Sequence, residues 1–197
     1  RMPQFYTLAF LIALMPILSV AYNNHFPTMM SVKGFSTTIS ASLFSVVSAG
    51  NVIVPITLGV IIPKIGIKKS LTTYLCIGFI GILGILIIPS SNPLVIAPFA
   101  FLTAFARLDL IGSPLLIRDA FGSEHYTDIY PRLQVISYFT GSLVVSLFGI
   151  LYDTANNYTP CYLLILIAIV ISILLISATL RISAKQRIVN QQKFSRQ

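Results

Sequence analysis

The chain is 197 residues long, 56% hydrophobic and only 9% charged, with a mean hydropathy of +0.89 and a formal net charge of +8. A soluble domain carries about 25% charged residues, so this surface cannot be covered against water, and lipid must be the solvent for most of it. The positive balance is not a nucleic-acid signature, because the basic residues fall at helix ends and in the C-terminal tail, where they set orientation.

Apolar runs predict an all-α membrane protein with six transmembrane helices. In chain order the spans cover about residues 4–26, 37–62, 69–88, 93–121, 129–152 and 159–181. They form one bundle over residues 1–182, followed by a basic tail at 183–197. The tail is expected to extend the last helix and then fray near anionic headgroups. The connectors PTMMSVKG, PKIGIKK, PSSNP, GSEHYTD and DTANNY carry the helix-stopping residues; proline lacks the amide donor and glycine permits positive φ. Arg1, the Leu/Ile-rich run and Ser19-Val20-Ala21 also imitate a secretory signal with its cleavage site. Pro16 inside that run, and a charge-free stretch reaching Val32, favour a span instead. Asn157-Tyr158-Thr159 has the form of a glycosylation sequon, but it abuts a span and no sugar is expected there.

The fourth span, PLVIAPFAFLTAFARLDLIGSPLLIRDAF, is the unusual one. A crossing needs about 20 residues at about 1.5 Å rise each, which puts Arg107 near the bilayer midplane. A guanidinium there costs roughly 2.5–3.5 kcal/mol on insertion scales, and it is tolerated where the helix faces protein or a water-filled cavity. Arg107 is therefore read as lining a cavity, with a structural ion pair to a neighbouring helix as the plainer alternative. Asp109 follows two residues later, about 200° around a continuous helix, so the two side chains are expected to look at different neighbours. With Arg107 turned to the cavity, Asp109 is assigned to a helix contact or to a coupling proton. Gly112-Ser113-Pro114 should bend the span just inside Arg107, because proline removes one intrahelical bond.

Other polar groups at midspan are few. Asn51 lies in the middle of the second span, Tyr22, Asn23 and Asn24 in the outer part of the first, and Gln134 and Tyr138 in the inner half of the fifth. A lone asparagine in a span often bonds one helix to another for about 1 kcal/mol. Convergence at compatible depths makes Asn51, Asn23, Asn24 and Tyr138 candidate substrate-binding residues beside Arg107. Cys76 and Cys161 should differ in depth, which forbids a bridge because the Cα atoms must come within about 7 Å; both are expected to be small core hydrophobes. His25 and His125 stand alone, and the absence of CxxC, HExxH or a His/Cys cluster suggests no metal and no cofactor.

Placing both termini in the cytoplasm puts eleven of the thirteen basic residues inside. These are Arg1, Lys64, Lys68, Lys69, Arg118, Arg132 and the tail's Arg181, Lys185, Arg187, Lys193 and Arg196. Lys33 alone is left outside, with Arg107 in the membrane. The positive-inside rule selects this orientation.

Closing the second span, Gly59-x-x-x-Pro63-Lys64-x-Gly66-x-Lys68-Lys69 resembles the G-x-x-x-D-[RK]-x-G-x-[RK]-[RK] loop of the major facilitator superfamily, with proline at the acidic position. In that family the loop lies between helices two and three and, more degenerate, between eight and nine. Phe121-Gly122-Ser123 with Tyr126, Ile129 and Tyr130, then Gly149-x-Leu151-Tyr152-Asp153-Thr154, is similar to helices ten to eleven of the monocarboxylate and oxalate/formate antiporter branch. The resemblance implies a six-helix half-bundle, helices seven to twelve of a multi-pass cell-membrane transporter, whose partner is the N-terminal six-helix half of the same protein. It implies two bundles rocking about a midplane site. Helices seven and ten, which carry Asn23, Asn24 and Arg107, would flank the path, and helices nine and twelve would face lipid. The loop's glycines would permit close backbone contact, and its lysines would anchor the cytoplasmic helix ends.

These features point to secondary active transport of a small polar or anionic solute by alternating access. Arg107 would offer a two-pronged fork for carboxylate or phosphate. The alternative is a six-helix scaffold or channel subunit without transport activity. An intramembrane enzyme would need a nucleophile–base pair or paired acids at one depth; the serines are scattered and no histidine lies at midspan.

Overall fold

Long apolar runs without period-two alternation give helices throughout, and no strand occurs among the described residues. The computed structural model describes residues 3–194 except positions 90, 91, 110 and 125, with side-chain surroundings from position 5 to position 180. Helix α1 (Pro3–Pro16) passes through a π-helical turn, Ile17–Ala21, into α2 (Tyr22–Val32). There follow α3 (Thr37–Ile65), α4 (Ile67–Ile87), α5 (Pro93–Thr103) with a 3₁₀ turn at Ala104–Ala106, α6 (Gly112–Phe121), α7 (Tyr126–Ala155) and α8 (Thr159–Phe194).

Local chemistry sets the ends. Ser36 accepts a hydrogen bond from the Ile39 amide at 3.3 Å and caps α3. Asn92 accepts from the Leu94 amide at 3.0 Å, and Pro93 takes the first helical position of α5, where its missing donor costs nothing. Gly66, with φ +84°, turns the chain between α3 and α4. Lys33 donates to the Ile85 carbonyl in the last turn of α4, where the helix dipole favours a cation; burial lowers its pKa from the ordinary lysine range.

Among the described residues five stretches are long and apolar enough to cross a membrane: Phe5–Val32, Thr37–Ile65, Ile67–Ile87, Tyr126–Ala155 and Thr159–Leu180. A sixth apolar helical stretch, Pro93–Ala106, is shorter. The molecule is thus all-α, with helices fit for a multi-pass membrane protein. Within it α4 packs most extensively on α5, α1 packs on α7 and α8, α3 on α5, and α4 on α8.

Several expectations need correction. The predicted fourth span is not one helix: α5 ends at Thr103, and regular α-helix resumes only at Gly112. Pro114 sits in the first turn of α6, where proline is tolerated; a continuous helix would put its ring against the carbonyl four residues upstream. The break therefore falls around Arg107 and not at Gly112-Ser113-Pro114. PTMMSVKG is not a loop from its first residue, since α2 runs through Pro27 to Val32, held by buried Phe26, Met29 and Met30. Proline inside a spanning helix is tolerated where neighbouring groups take up the freed backbone. Cys76 is exposed and only Cys161 is buried. Helix α8 continues to Phe194, so the tail extends the last helix, and residues 195–197 lie outside the described residues. Apart from these corrections, helices α3 and α7 are the least buried of the long spans within this chain.

The helix break is covered by glycines. A Cβ placed on Gly78 would lie 2.5 Å from the Ala106 amide nitrogen, and one on Gly81 would lie 2.7 Å from that of Thr103. Helix α4 thus meets backbone, which has no rotamer with which to retreat. Gly59 has nothing within 4 Å, nor has Gly66, so the loop glycines make no close contact within this chain. Gly81→Ala is expected to destabilise the fold by about 1–3 kcal/mol, as overpacking does, while Gly59→Ala leaves it within about 0.5 kcal/mol of the parent. Melting in detergent by intrinsic tyrosine fluorescence checks this; equal melting temperatures would remove the close-contact account.

Candidate functional site

The site is assembled by two irregularities in otherwise regular helices. In the first span, Pro16 lacks an amide donor, and the next five residues widen into the π turn. Asn23 and Asn24 then donate through Nδ2 to the carbonyls of Ser19 and Val20, at 2.7 and 2.9 Å. Carbonyls in the loosened turn are thereby satisfied from the side-chain level. In the second irregularity, Arg107 leaves helical geometry at φ −84° and ψ 88°. Its Nε lies 3.3 Å from Asp109 Oδ1, forming an ion pair.

That pair overturns the expectation that Arg107 and Asp109 face apart. The 200° separation holds only for an unbroken helix, and the chain is not helical between them. Both side chains are part-buried, at 27% and 21% exposure. Asp109 also stands just before the N-terminus of α6, where the dipole favours a negative charge. Nearby, Ser113 Oγ contacts Met15 Sδ at 2.8 Å and ties α6 to α1.

Asp109 lines a cleft of about 340 Å³ together with Ser19 and Val20 of the π turn and Gln134, Ser137, Tyr138, Gly141, Ser142 and Val145 of α7. Arg107 does not line it, so its charge reaches the cleft through Asp109. Gly141 faces the turn, and a Cβ there would make ordinary van der Waals contact with Pro16 Cβ at 3.6 Å and Val20 Cγ2 at 3.8 Å. The walls offer hydroxyls, one amide and one carboxylate among apolar surface. They can hydrogen-bond a small polar solute.

The other candidates divide. Asn51 Nδ2 approaches Asn23 Oδ1 at 3.4 Å and links α3 to α2, and its own Oδ1 is buried without a hydrogen-bond partner. Asn24 is exposed and bonded only within its own helix. Tyr138, 72% exposed, lines the cleft. Gly59, Lys64, Gly66, Lys68 and Lys69 belong to the α3–α4 hairpin and do not line the cleft. His25 is a tie between helices: Nδ1 lies 3.3 Å from the Tyr158 hydroxyl and Nε2 3.1 Å from the Val145 carbonyl. His125 lies outside the described residues. Ser19, Ser137 and Ser142 escape notice in the sequence because serines are frequent in every span; Pro16 is the signal that marks the first of them. Among the described residues no cluster of His, Cys, Asp and Glu could hold a metal ion.

No family model matches the chain, and no curated protein matches it either.

Removing one partner of a buried ion pair leaves the other charge uncompensated, at about 3–5 kcal/mol when burial is complete. Arg107 and Asp109 are part-exposed, so a smaller loss is expected. Arg107→Ala and Asp109→Ala should each lower the detergent melting temperature. The double variant should recover part of the loss, giving a coupling of about 0.5–3 kcal/mol. Strict additivity in that cycle would mean the contact carries no energy.

Proposed function

We propose that the chain is one six-helix half, the C-terminal one, of a secondary transporter of the major facilitator type, moving a small polar or anionic solute by alternating access. The observation that carries the reading is the interrupted apolar span whose break holds the Arg107–Asp109 pair beside a polar-lined cleft. Irregular backbone at membrane depth is tolerated where it lines a cavity or is buried in protein, and broken helices are a common way to build a midplane site.

An incoming carboxylate or phosphate would compete with Asp109 for the guanidinium, and protonation of the released Asp109 would keep the local charge balanced. Asn51, with its unpartnered acceptor, and Asn23 would extend the polar surface from the opposite side. The least buried long helices, α3 and α7, are where the N-terminal half would dock. Helix α7 supports this, since it is the least apolar of the five long spans while exposing the most surface, whereas α8 is the most apolar. In this reading the lipid bilayer is the second partner and the cell membrane the location.

Counterflow of radiolabelled carboxylates and phosphates in liposomes holding the full-length protein tests the reading. Arg107→Ala should abolish uptake, and Arg107→Lys should retain little of it, because an ammonium cannot reproduce the planar fork. Asp109→Asn should keep exchange but flatten its dependence on pH. Wild-type rates in both Arg107 variants, or no counterflow of any labelled solute, would favour a scaffold or channel subunit.

A further inference from the structure

A second cleft, of about 360 Å³, lies between α3 and α4. Its walls are Thr57, Ile61 and Ile65 from one helix and Thr73 and Ile77 from the other, with Phe105 of the 3₁₀ turn also lining it. The lining is mostly apolar, and three of its four polar side chains, Thr57, Ser70 and Tyr74, are already bonded within the chain. The hydroxyl of Tyr74, also on the wall, donates to Thr57 Oγ1 at 2.9 Å, Thr57 donates to the Ile53 and Val54 carbonyls, and Ser70 donates to the Gly66 carbonyl at 2.8 Å. A water-borne solute would find little to bond there beyond the Thr73 hydroxyl. Hydrocarbon needs no such partner.

Where the two helices join, the chemistry changes sign. Lys64, Lys68 and Lys69 flank the Gly66 turn, all three exposed, and none makes an ion pair among the described residues. From Thr57 to Ile65 the α3 wall rises eight residues, about 12 Å at 1.5 Å each. The groove thus runs along the hairpin from the interior toward its basic end. An apolar channel ending in unpaired lysines complements an amphiphile with an aliphatic tail and an anionic head. The charge asymmetry of the sequence puts this end at the cytoplasmic leaflet, where anionic lipids gather and basic clusters beside spanning helices bind their headgroups.

We infer that the α3–α4 groove is a specific site for an anionic phospholipid, one acyl chain lying along Ile61, Ile65 and Ile77 and the phosphate held by Lys64, Lys68 and Lys69. This does not depend on transport. Filling the groove would cover apolar surface next to Phe105, on the segment that leads into the helix break. The lipid therefore belongs to the fold's lateral packing.

The purified chain in phosphatidylcholine nanodiscs, with and without phosphatidylglycerol, can be assayed by native mass spectrometry for retained lipid. Wild type should retain phosphatidylglycerol in preference to phosphatidylcholine. Replacing the three lysines with Gln should weaken that preference by about fivefold per lysine, the size of one basic side chain at an anionic surface. Thr73→Phe, which obstructs the groove and leaves the lysines in place, should weaken it as well, whereas Val60→Phe on the exposed face of α3 outside the groove should not. Circular dichroism establishes that each variant is folded. Wild-type preference in the lysine variant overturns the site. Loss in the lysine variant with full retention in Thr73→Phe also overturns it, because that result means headgroup adsorption without chain insertion.

Discussion

A backbone that stops being helical inside an apolar span must find its hydrogen bonds and its cover within the protein, since hydrocarbon supplies neither. The chain between α5 and α6 meets this requirement on two sides. Toward α4 it is shielded by near-contact with Gly78 and Gly81, so close that a single methyl group would collide with main-chain nitrogen. Toward α3 it is shielded at Gly50, where an added Cβ would lie 2.6 Å from that of Ala104. The buried residues at these contacts, Thr103, Ala104 and Ala106, are small for the same reason, while Leu108, further along, is buried and large. Larger side chains would hold the helices apart and leave the amides without cover. Packing by small residues, which in most spanning helices simply brings backbones together, here also closes over a defect.

With one side sealed, the polar products of the break are turned the other way. Arg107 and Asp109 come together because the chain between them is not helical, and the carboxylate ends in the cleft between the π turn and α7. Two prolines favour this geometry. Pro16 lacks a donor where Ser19 and Val20 become walls, and Pro114 disfavours the continuous helix that would have kept the two charges apart. Asn23 serves both sides: its amide repairs the π turn and its carbonyl receives Asn51.

Much of this architecture is legible in the residues. The runs beginning at Thr37, Pro93 and Thr159 announce their helices because apolar length, a cap or a proline marks each boundary, whereas α3 passes through Pro63, where a stop is expected, to Ile65. What escapes is the reach of a proline upstream of itself. Reading Pro114 as a bend at its own position keeps Arg107 on a regular helix and sends Asp109 to the wrong neighbour, whereas the clash lies four residues back. In the same way, Gly59, Gly78 and Gly81 all read as small residues that let backbones approach, yet Gly59 faces open space while Gly78 and Gly81 are pressed against backbone. Only the partner helix distinguishes the two cases, and a single sequence does not name that partner.

The energetics of the pair decide what kind of place the break can be. A lone guanidinium at this depth would be costly, and a neutralised pair is less so. Yet neutralisation here is partial in hydrogen-bond terms. Guanidinium carries five donors, and among the described residues Arg107 places only Nε, on one oxygen of Asp109. The remaining donors cannot stay unmet in a dry interior without a penalty of a few kcal/mol. Both side chains keep part of their surface accessible, and the cleft beside Asp109 is lined by Ser19, Gln134, Ser137 and Ser142. Partial exposure of both side chains lets water meet those donors, which distinguishes this break from a kink covered on every side.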